Sequence, residues 1–555
     1  MKFMAVTGKW FSSVSQIFGV GLSSVVLSAI ASLSPAHSAE EMVISYGIAN
    51  TSIAIADLEK FVESGESTPL LFVYGYLLNI QDTEGLRRAL KSPFEASPWS
   101  IDRFLNSPTG ETILRRMGRV VNTVSGENGY MALKTAIAQA SKRPEGLTIM
   151  GILQEFPDAQ IRIDLDFSIH VIQETSQVLF RNQTIIEQIS QQERGEKTAN
   201  LTEQQRFTIP NPRDMGPYSW REAEVVFFNP NRDRPSPLFL YLPENINRPA
   251  PLIIISHGLG SDPKTFNYLA EHLASHGFAV AIPEHIATSA NRFEGFLQGF
   301  EEPPNSSEFA DRPTDISYLL DLLEEKSASD PFWRENLDLE NVGVVGQSFG
   351  GYTVLALAGA KLNPQILSQY CRDLSNQRIT LNLSIILQCR ALEVALERQN
   401  FRDPRIKAAI AINPFTSLVF GEGGMAAINI PLAIVSGTND YITPAIAEQI
   451  KPFTWLTNSD NILVLFERGT HFSFLQEEGG QVPIPPEIIG PDPNLAYPYL
   501  KALSLTFFNL HIRRELDNRN YLNEAYLNTI GSSVFQMTIL EELTPEQLER
   551  AFQQP

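Results

Sequence analysis

Cysteine is nearly missing from these 555 residues: there are two, Cys371 and Cys389, both in one local segment. Neither lies in a metal-ligand pattern, which removes cysteine-held metal from consideration. In an exported chain the pair either closes a short loop, worth on the order of 3 kcal/mol by loop entropy, or stays as two buried thiols; spacing alone does not give the Cβ geometry that decides. Basic residues are also scarce, with 43 Lys and Arg against 63 Asp and Glu and a formal charge of -20. That balance argues against nucleic acid and against an anionic membrane surface held by charge, because both need a basic excess. Membrane contact is left to a local apolar patch. Beyond the N-terminal stretch no segment has the uninterrupted apolar length to cross a bilayer. No fixed-period repeat is visible either, which disfavours solenoids and propellers.

The first residues read as an address. Lys2 and Lys9 precede an apolar stretch from Val14 to Leu33, which ends in Ser34-Pro35-Ala36-His37-Ser38-Ala39. These small side chains suit a signal peptidase, so residues 1–39 are expected to be a cleaved signal peptide and the mature chain to be secreted or periplasmic. The rival is an uncleaved anchor of nearly spanning length. Interrupting Ser and Gly residues, and Glu40-Glu41 directly after the small residues, favour cleavage.

A chain of this length holds two or three domains, and 43% hydrophobic with 10% aromatic residues is a globular composition. Helical periodicity dominates from Met42 to Leu165. Ile113, Met117 and Val120 share one side of a run introduced by Ser107-Pro108, and further amphipathic runs cover Tyr130 to Ser141 and Leu147 to Phe156. A small all-α N-terminal domain over 40–165 is expected. Residues 166–215 read as a helix from Phe167 to Ile189 followed by a polar linker, Gln191 to Gln205. Beyond Tyr218 short apolar, β-branched runs alternate with helices: Ala223–Phe228 and Pro237–Leu242 as an antiparallel entry pair, then Leu252–Ser256, Phe278–Ile282, Asn341–Val345, Ile406–Ile412, Leu432–Val435 and Ile462–Phe466. The pattern predicts an α/β domain over 216–515, a mostly parallel sheet with helices on both faces, followed by a helical extension over 516–555.

Three strand ends carry candidate chemistry. Gly346-Gln347-Ser348-Phe349-Gly350 follows Asn341–Val345 and precedes a helix-forming run, the strand-turn-helix setting in which a strained serine is presented as a nucleophile. A hydroxyl needs a base, and the base an orienting group. His471, just past the last predicted strand, is placed to return over Ser348; the bland alternative is a solvated loop histidine. Asp440, in the turn after the preceding strand, is the candidate orienting acid, or else an N-cap. Serine, acid and histidine thus fall in the chain order of an α/β-hydrolase sheet at three successive strand ends. A tetrahedral oxyanion needs preorganised donors, and the loop amide of Leu259 with the amide of Phe349 are the candidates. His257 precedes Ser348 in the wrong loop for a base and reads as loop-shaping.

Ile255-Ser256-His257-Gly258-Leu259-Gly260, Leu273-Ala274-Ser275-His276-Gly277-Phe278 leading to Pro283-Glu284-His285, and Val345-Gly346-Gln347-Ser348-Phe349-Gly350-Gly351 together resemble the platelet-activating-factor acetylhydrolase and dienelactone-hydrolase-like branch of α/β hydrolases. The resemblance covers roughly Tyr218 to His511. It implies Ser348 as nucleophile, Asp440 and His471 as its partners, and Leu259 with Phe349 as oxyanion donors. Gln347 stands where the acetylhydrolases usually have histidine, which leaves the triad intact but weakens transfer of their lipid substrate. The segment from Met42 to Leu165 is similar to a domain of unknown function found ahead of bacterial secreted hydrolases.

Two long connections, Ile286 to Pro313 with Phe293, Phe296 and Phe300, and Gly359 to Pro404 with both cysteines, are expected to cap the site. Phenylalanines at spacings of three and four either line a pocket for a lipid or aryl ester or simply pack on the domain. The expected activity is a secreted serine hydrolase of carboxylic esters, including short-acyl or phospholipid-like esters, with a small-molecule substrate and no metal or organic cofactor implied. Two rivals remain: a serine peptidase of the prolyl-oligopeptidase type, and a non-catalytic scaffold whose helical region binds a partner.

Overall fold

A computed structural model describes residues 38–46, 49–66, 83–94, 96–164, 185–189, 211–230, 232, 235–297, 301, 304–371, 382–476, 489–523, 526 and 534–553. The expected signal peptide up to His37, the Gln191–Gln205 linker and Phe300 lie outside these residues. Of the helix expected from Phe167 to Ile189, residues 185–189 are described, and they are helical. The chain divides into two compact units: residues 1–95 with 117–165, and residues 96–116 with 166–555.

The smaller unit corrects the expectation of an all-α domain. Strands β1 (Glu41–Tyr46), β2 (Ala49–Ala54), β3 (Val121–Asn122) and β4 (Gln160–Asp164) form a four-stranded sheet in the order β2-β1-β4-β3. β1 and β2 form an antiparallel hairpin, whereas β1 and β4 run parallel with Glu41 opposite Gln160. Local periodicity cannot reveal a partner more than a hundred residues away, and Val43, Ile44 and Ile53, all buried, carry the β-branched signal. The helices of this unit are α1 (Ile55–Ser64), α2 (Thr83–Lys91), α5 (Tyr130–Ala140) and α6 (Ile149–Gln154), of which α5 and α6 match the amphipathic runs expected over Tyr130–Ser141 and Leu147–Phe156. Thr148 caps α6 by accepting the Gly151 amide at 2.9 Å.

Residues 96–116 cluster with the larger unit instead of the N-terminal one. They form α3 (Pro98–Leu105) and α4 (Pro108–Met117). Ser107 caps α4, as its sequence suggests, but its buried apolar side chain is Leu114, while Met117 is 44% exposed.

The larger unit holds a nine-stranded sheet in the order β13-β12-β11-β10-β9-β7-β8-β6-β5. Its parallel centre comprises β7 (Ala250–Ser256), β8 (Ala279–Pro283), β9 (Leu337–Gln347), β10 (Ile406–Ile412), β11 (Leu432–Gly437) and β12 (Ile462–Phe466). β5 (Trp220–Phe228) and β6 (Pro235–Pro243) add the antiparallel entry. The 516–555 extension is not purely helical: β13 (Met537–Leu540) joins the sheet antiparallel to β12. Alternate residues of the central strands feed opposite faces, so Ile254 and Val344 belong to one apolar core, and Ile253, Ile255 and Val345 to the other. The covering helices include α7 (Asn267–Ser275), α8 (Ala290–Leu297), α9 (Glu308–Ser329), α10 (Phe349–Ala358), α11 (Pro364–Cys371), α12 (Ser384–Cys389) and α13 (Tyr497–His511).

Candidate active site

Between β9 and α10 stands Ser348 alone, with φ 56° and ψ -115°. A side-chain-bearing residue is strained in that region, so the surroundings must enforce it. A Cβ at Gly346 would overlap the Gly350 carbonyl oxygen, and one at Gly350 would overlap the Ser256 carbonyl oxygen at the end of β7. Only bare backbone lets the turn, the helix and the neighbouring strand approach this closely. The Ser348 amide donates to Ile412 O at 2.9 Å, tying the turn to the end of β10.

Asp440 and His471 leave the ends of β11 and β12, which lie side by side in parallel register. His471 Nδ1 is 2.7 Å from Asp440 Oδ2. A carboxylate accepts, so Nδ1 carries the proton and Nε2 is left as the basic nitrogen. The same carboxylate accepts the Ile442 and Thr443 amides at Oδ1, both at 2.8 Å, and the Thr443 hydroxyl at Oδ2, also at 2.8 Å. Asp440 therefore both caps its turn and faces the imidazole, the two alternatives weighed from sequence. Both residues are buried, at 4% and 7% exposure.

Two amide side chains missed by sequence reasoning hold these loops. Gln347 Nε2 donates to the His471 carbonyl at 3.0 Å. Asn413, fully buried, donates to Thr470 O at 3.0 Å and accepts the Gly437 amide at 2.8 Å, bridging the loops of the acid and the histidine. Its φ of 45° marks a tight turn after β10, which asparagine tolerates better than most residues. Thr443 and Asn413 leave no distinctive sequence signal.

Ser348, His471, Leu259 and Gln347 line one cavity of about 340 Å³, whose walls are chiefly apolar: Phe293 from α8, Leu383 and Leu387 around α12, Phe415, Ile442, Phe472 and Leu475. Phe293 thus faces the cavity and has Phe296 beside it, their ring centroids 6.0 Å apart. Cys371 and Cys389 form a disulfide with Cα atoms 5.5 Å apart, linking the ends of α11 and α12. Among the described residues the amides of Leu259 and Phe349 have no acceptor, and Phe349 N opens a helix, where the dipole favours negative charge. His257 is fully buried; its Nδ1 faces Gly258 O at 2.9 Å and its Nε2 accepts the His285 amide at 2.9 Å. Burial first, and Arg312 second, pull its pKa down to about 3, so the ring is neutral and shapes its loop. His37 and His170 lie outside the described residues.

Comparison with known proteins agrees with this architecture. A family model described as "Alpha/beta hydrolase of unknown function (DUF1400)" matches residues 38–164, most of which form the smaller unit. A second, "Platelet-activating factor acetylhydrolase, isoform II", matches residues 243–309, from the end of β6 through Leu259 to the start of α9, and stops short of Ser348. Platelet-activating factor acetylhydrolase of Canis lupus familiaris is 30% identical over 151 residues, covering 20% of this chain and 34% of the relative. That of Bos taurus is 28% identical over 137 residues, covering 19% and 31%. The chain thus spans about a third of the length of the relatives it matches. With its mostly parallel sheet, its serine turn between β9 and α10, and these matches, the chain has an α/β-hydrolase fold and resembles the platelet-activating factor acetylhydrolases.

Proposed function

We propose that the chain is a serine hydrolase of carboxylic esters whose acyl or leaving group is uncharged and apolar. Ser348 Oγ attacks the ester carbonyl while its proton passes to His471 Nε2, and Asp440 holds the imidazole and stabilises its cationic form. The amides of Leu259 and Phe349 receive the oxyanion. The protonated imidazole then gives its proton to the departing alcohol, and water repeats the sequence on the acyl-enzyme to release acid and free serine.

The observation that carries this reading is the 2.7 Å Asp440–His471 bond, whose histidine lines the same cavity as Ser348. The lining supports the substrate class: among the described residues around the cavity there is no Lys, Arg, Asp or Glu, which leaves an anionic or cationic substrate without a partner there. Short-acyl esters fall in this class, and phospholipid-like esters do so through their acyl group with the charged head group kept outside the cavity, as the printed name of the relatives suggests. The disulfide, together with Lys2, Lys9 and the apolar stretch after them, supports an exported mature chain.

Hydrolysis of p-nitrophenyl esters of graded chain length tests the proposal. The wild-type chain should turn them over, and Ser348→Ala should lose kcat by up to about a millionfold. Turnover by Ser348→Ala equal to wild type would defeat it.

A further inference from the structure

Arg312, one turn into α9, is the largest of the fully buried side chains described, and it is absent from the cavity lining. Its guanidinium grips the loop that carries Leu259. Nη1 donates to His257 O at 2.7 Å, Nη2 lies 3.4 Å from Gly258 O, and Nε donates to Thr288 Oγ1 at 3.1 Å. Its Cζ also sits 4.4 Å from the centre of the Phe349 ring. One cation therefore touches both segments that carry the candidate oxyanion donors.

Among the described residues this cation has no carboxylate in direct contact, although Glu308 and Asp315 favour its charge from a distance. Among the described residues no carboxylate oxygen lies within 4.0 Å of Arg312; the nearby Glu308 and Asp315 are instead engaged by Arg232, at 3.2 and 3.1 Å. Burying such a charge is costly, and a hydrophobic residue would fill the same space without that cost. Burial lowers the Arg312 pKa to about 9, which still leaves it charged at neutral pH.

We propose that Arg312 is the positioning residue of the oxyanion hole, orienting the Gly258–Leu259 peptide and adding positive potential where negative charge develops on the substrate oxygen. The inference rests on the ester-hydrolase reading above. Its logic is that of a trans peptide, in which C=O and N–H point in opposite directions. A cation bound on the Gly258 carbonyl side turns the Leu259 N–H away from itself and polarises that bond, strengthening the donor. The same guanidinium, against the Phe349 ring, fixes the first residue of α10 and with it the second donor. A fork that reaches two successive carbonyls is a task for arginine, which lysine performs only as a point charge.

The test compares full-length wild type, Arg312→Lys and Arg312→Met on a p-nitrophenyl ester and on a trifluoromethyl ketone of the same acyl chain, which forms a tetrahedral oxyanion with the serine. For Arg312→Met, kcat is expected to fall on the order of a hundredfold with KM within about twofold, and the ketone to weaken by a similar factor. Arg312→Lys, which keeps charge without the fork, is expected to fall by about tenfold in both. Wild-type kcat and ketone affinity in either variant would overturn the inference, as would a rise in KM that accounts for the whole loss. If Arg312→Met does not fold, Arg312→Lys decides by the same two readings. A wild-type chain inert to both ester and ketone would instead sink the ester-hydrolase reading itself, and this inference with it.

Discussion

Ser348 occupies a backbone region that few side-chain-bearing residues adopt, and the surrounding contacts say why it stays there: Gly346 and Gly350 have no Cβ to collide with the elbow or with β7. Gly350→Ala would drive a methyl group into the Ser256 carbonyl, so it is expected to destabilise the fold by several kcal/mol, read as a loss of soluble protein or a large drop in Tm. Asp440→Asn is a milder change with a sharper consequence. The amide oxygen still accepts the Ile442 and Thr443 amides, but the side-chain nitrogen disfavours the tautomer with a proton on His471 Nδ1. Activity should fall by about ten-thousandfold with Tm nearly unchanged; a variant within tenfold of wild type would remove Asp440 from the proposed machinery. Much of this site was legible in the sequence, because Gly-x-Ser-x-Gly after a β run and residues just past two later β runs are positional signals. Gln347, Asn413 and Arg312 were not, since their roles come from partners between 24 and 124 residues away that only the folded chain brings together; Thr443, three residues from Asp440, belongs to no recognisable motif.

The helices that wall the cavity depend on two devices. One is the Cys371–Cys389 disulfide between α11 and α12, which closes a separation of 18 residues. The other is Glu448, fully buried, which accepts the amides of Thr416 at 2.6 Å and Ser417 at 2.9 Å, the Ser417 hydroxyl at 2.6 Å, Gln388 Nε2 at 3.0 Å and the side-chain amide of Asn382. It thereby joins the Leu383–Leu387 wall to the segment bearing Phe415. Cys389→Ser is expected to cost about 3 kcal/mol by the loop-entropy model and to loosen α12, so that discrimination among ester chain lengths weakens. Unchanged Tm and an unchanged chain-length profile would show that the bond does not hold this wall. The parallel strands of the main sheet were readable because each is a compact apolar run with β-branched residues. The sheet of the smaller unit and β13 were not: β13 is four residues long, and its pairing partner β12 lies some seventy residues earlier.

Buried histidines set the acid response of the molecule as a whole. His257 and His272 have pKa values lowered to about 3, and His511 to about 4, in each case chiefly by burial. Each is neutral in the fold but takes a proton below about 6.5 in the unfolded chain. The unfolded state then binds more protons, so stability falls as pH drops from about 6.5 toward 4, by at most about 1.4 kcal/mol per pH unit for each histidine. Burial lowers His276 and His285 as well, so although Asp315 and Glu284, pushed upward by burial, oppose this trend, two carboxyls face five histidines. Tm is therefore expected to be lower at pH 5 than at pH 7, and an equal or higher Tm at pH 5 would contradict the burial assigned to these rings. The division into units was only partly legible, because residues 96–116 leave the smaller unit and pack with the larger one, where α3 touches α8. The central claim is that a single hydroxyl in this chain is activated, and mass spectrometry after treatment with a fluorophosphonate reads it directly. One adduct on Ser348, lost when His471 is replaced by alanine, is the expected result; no adduct, or an adduct on another serine with Ser348 unmodified, would contradict the account.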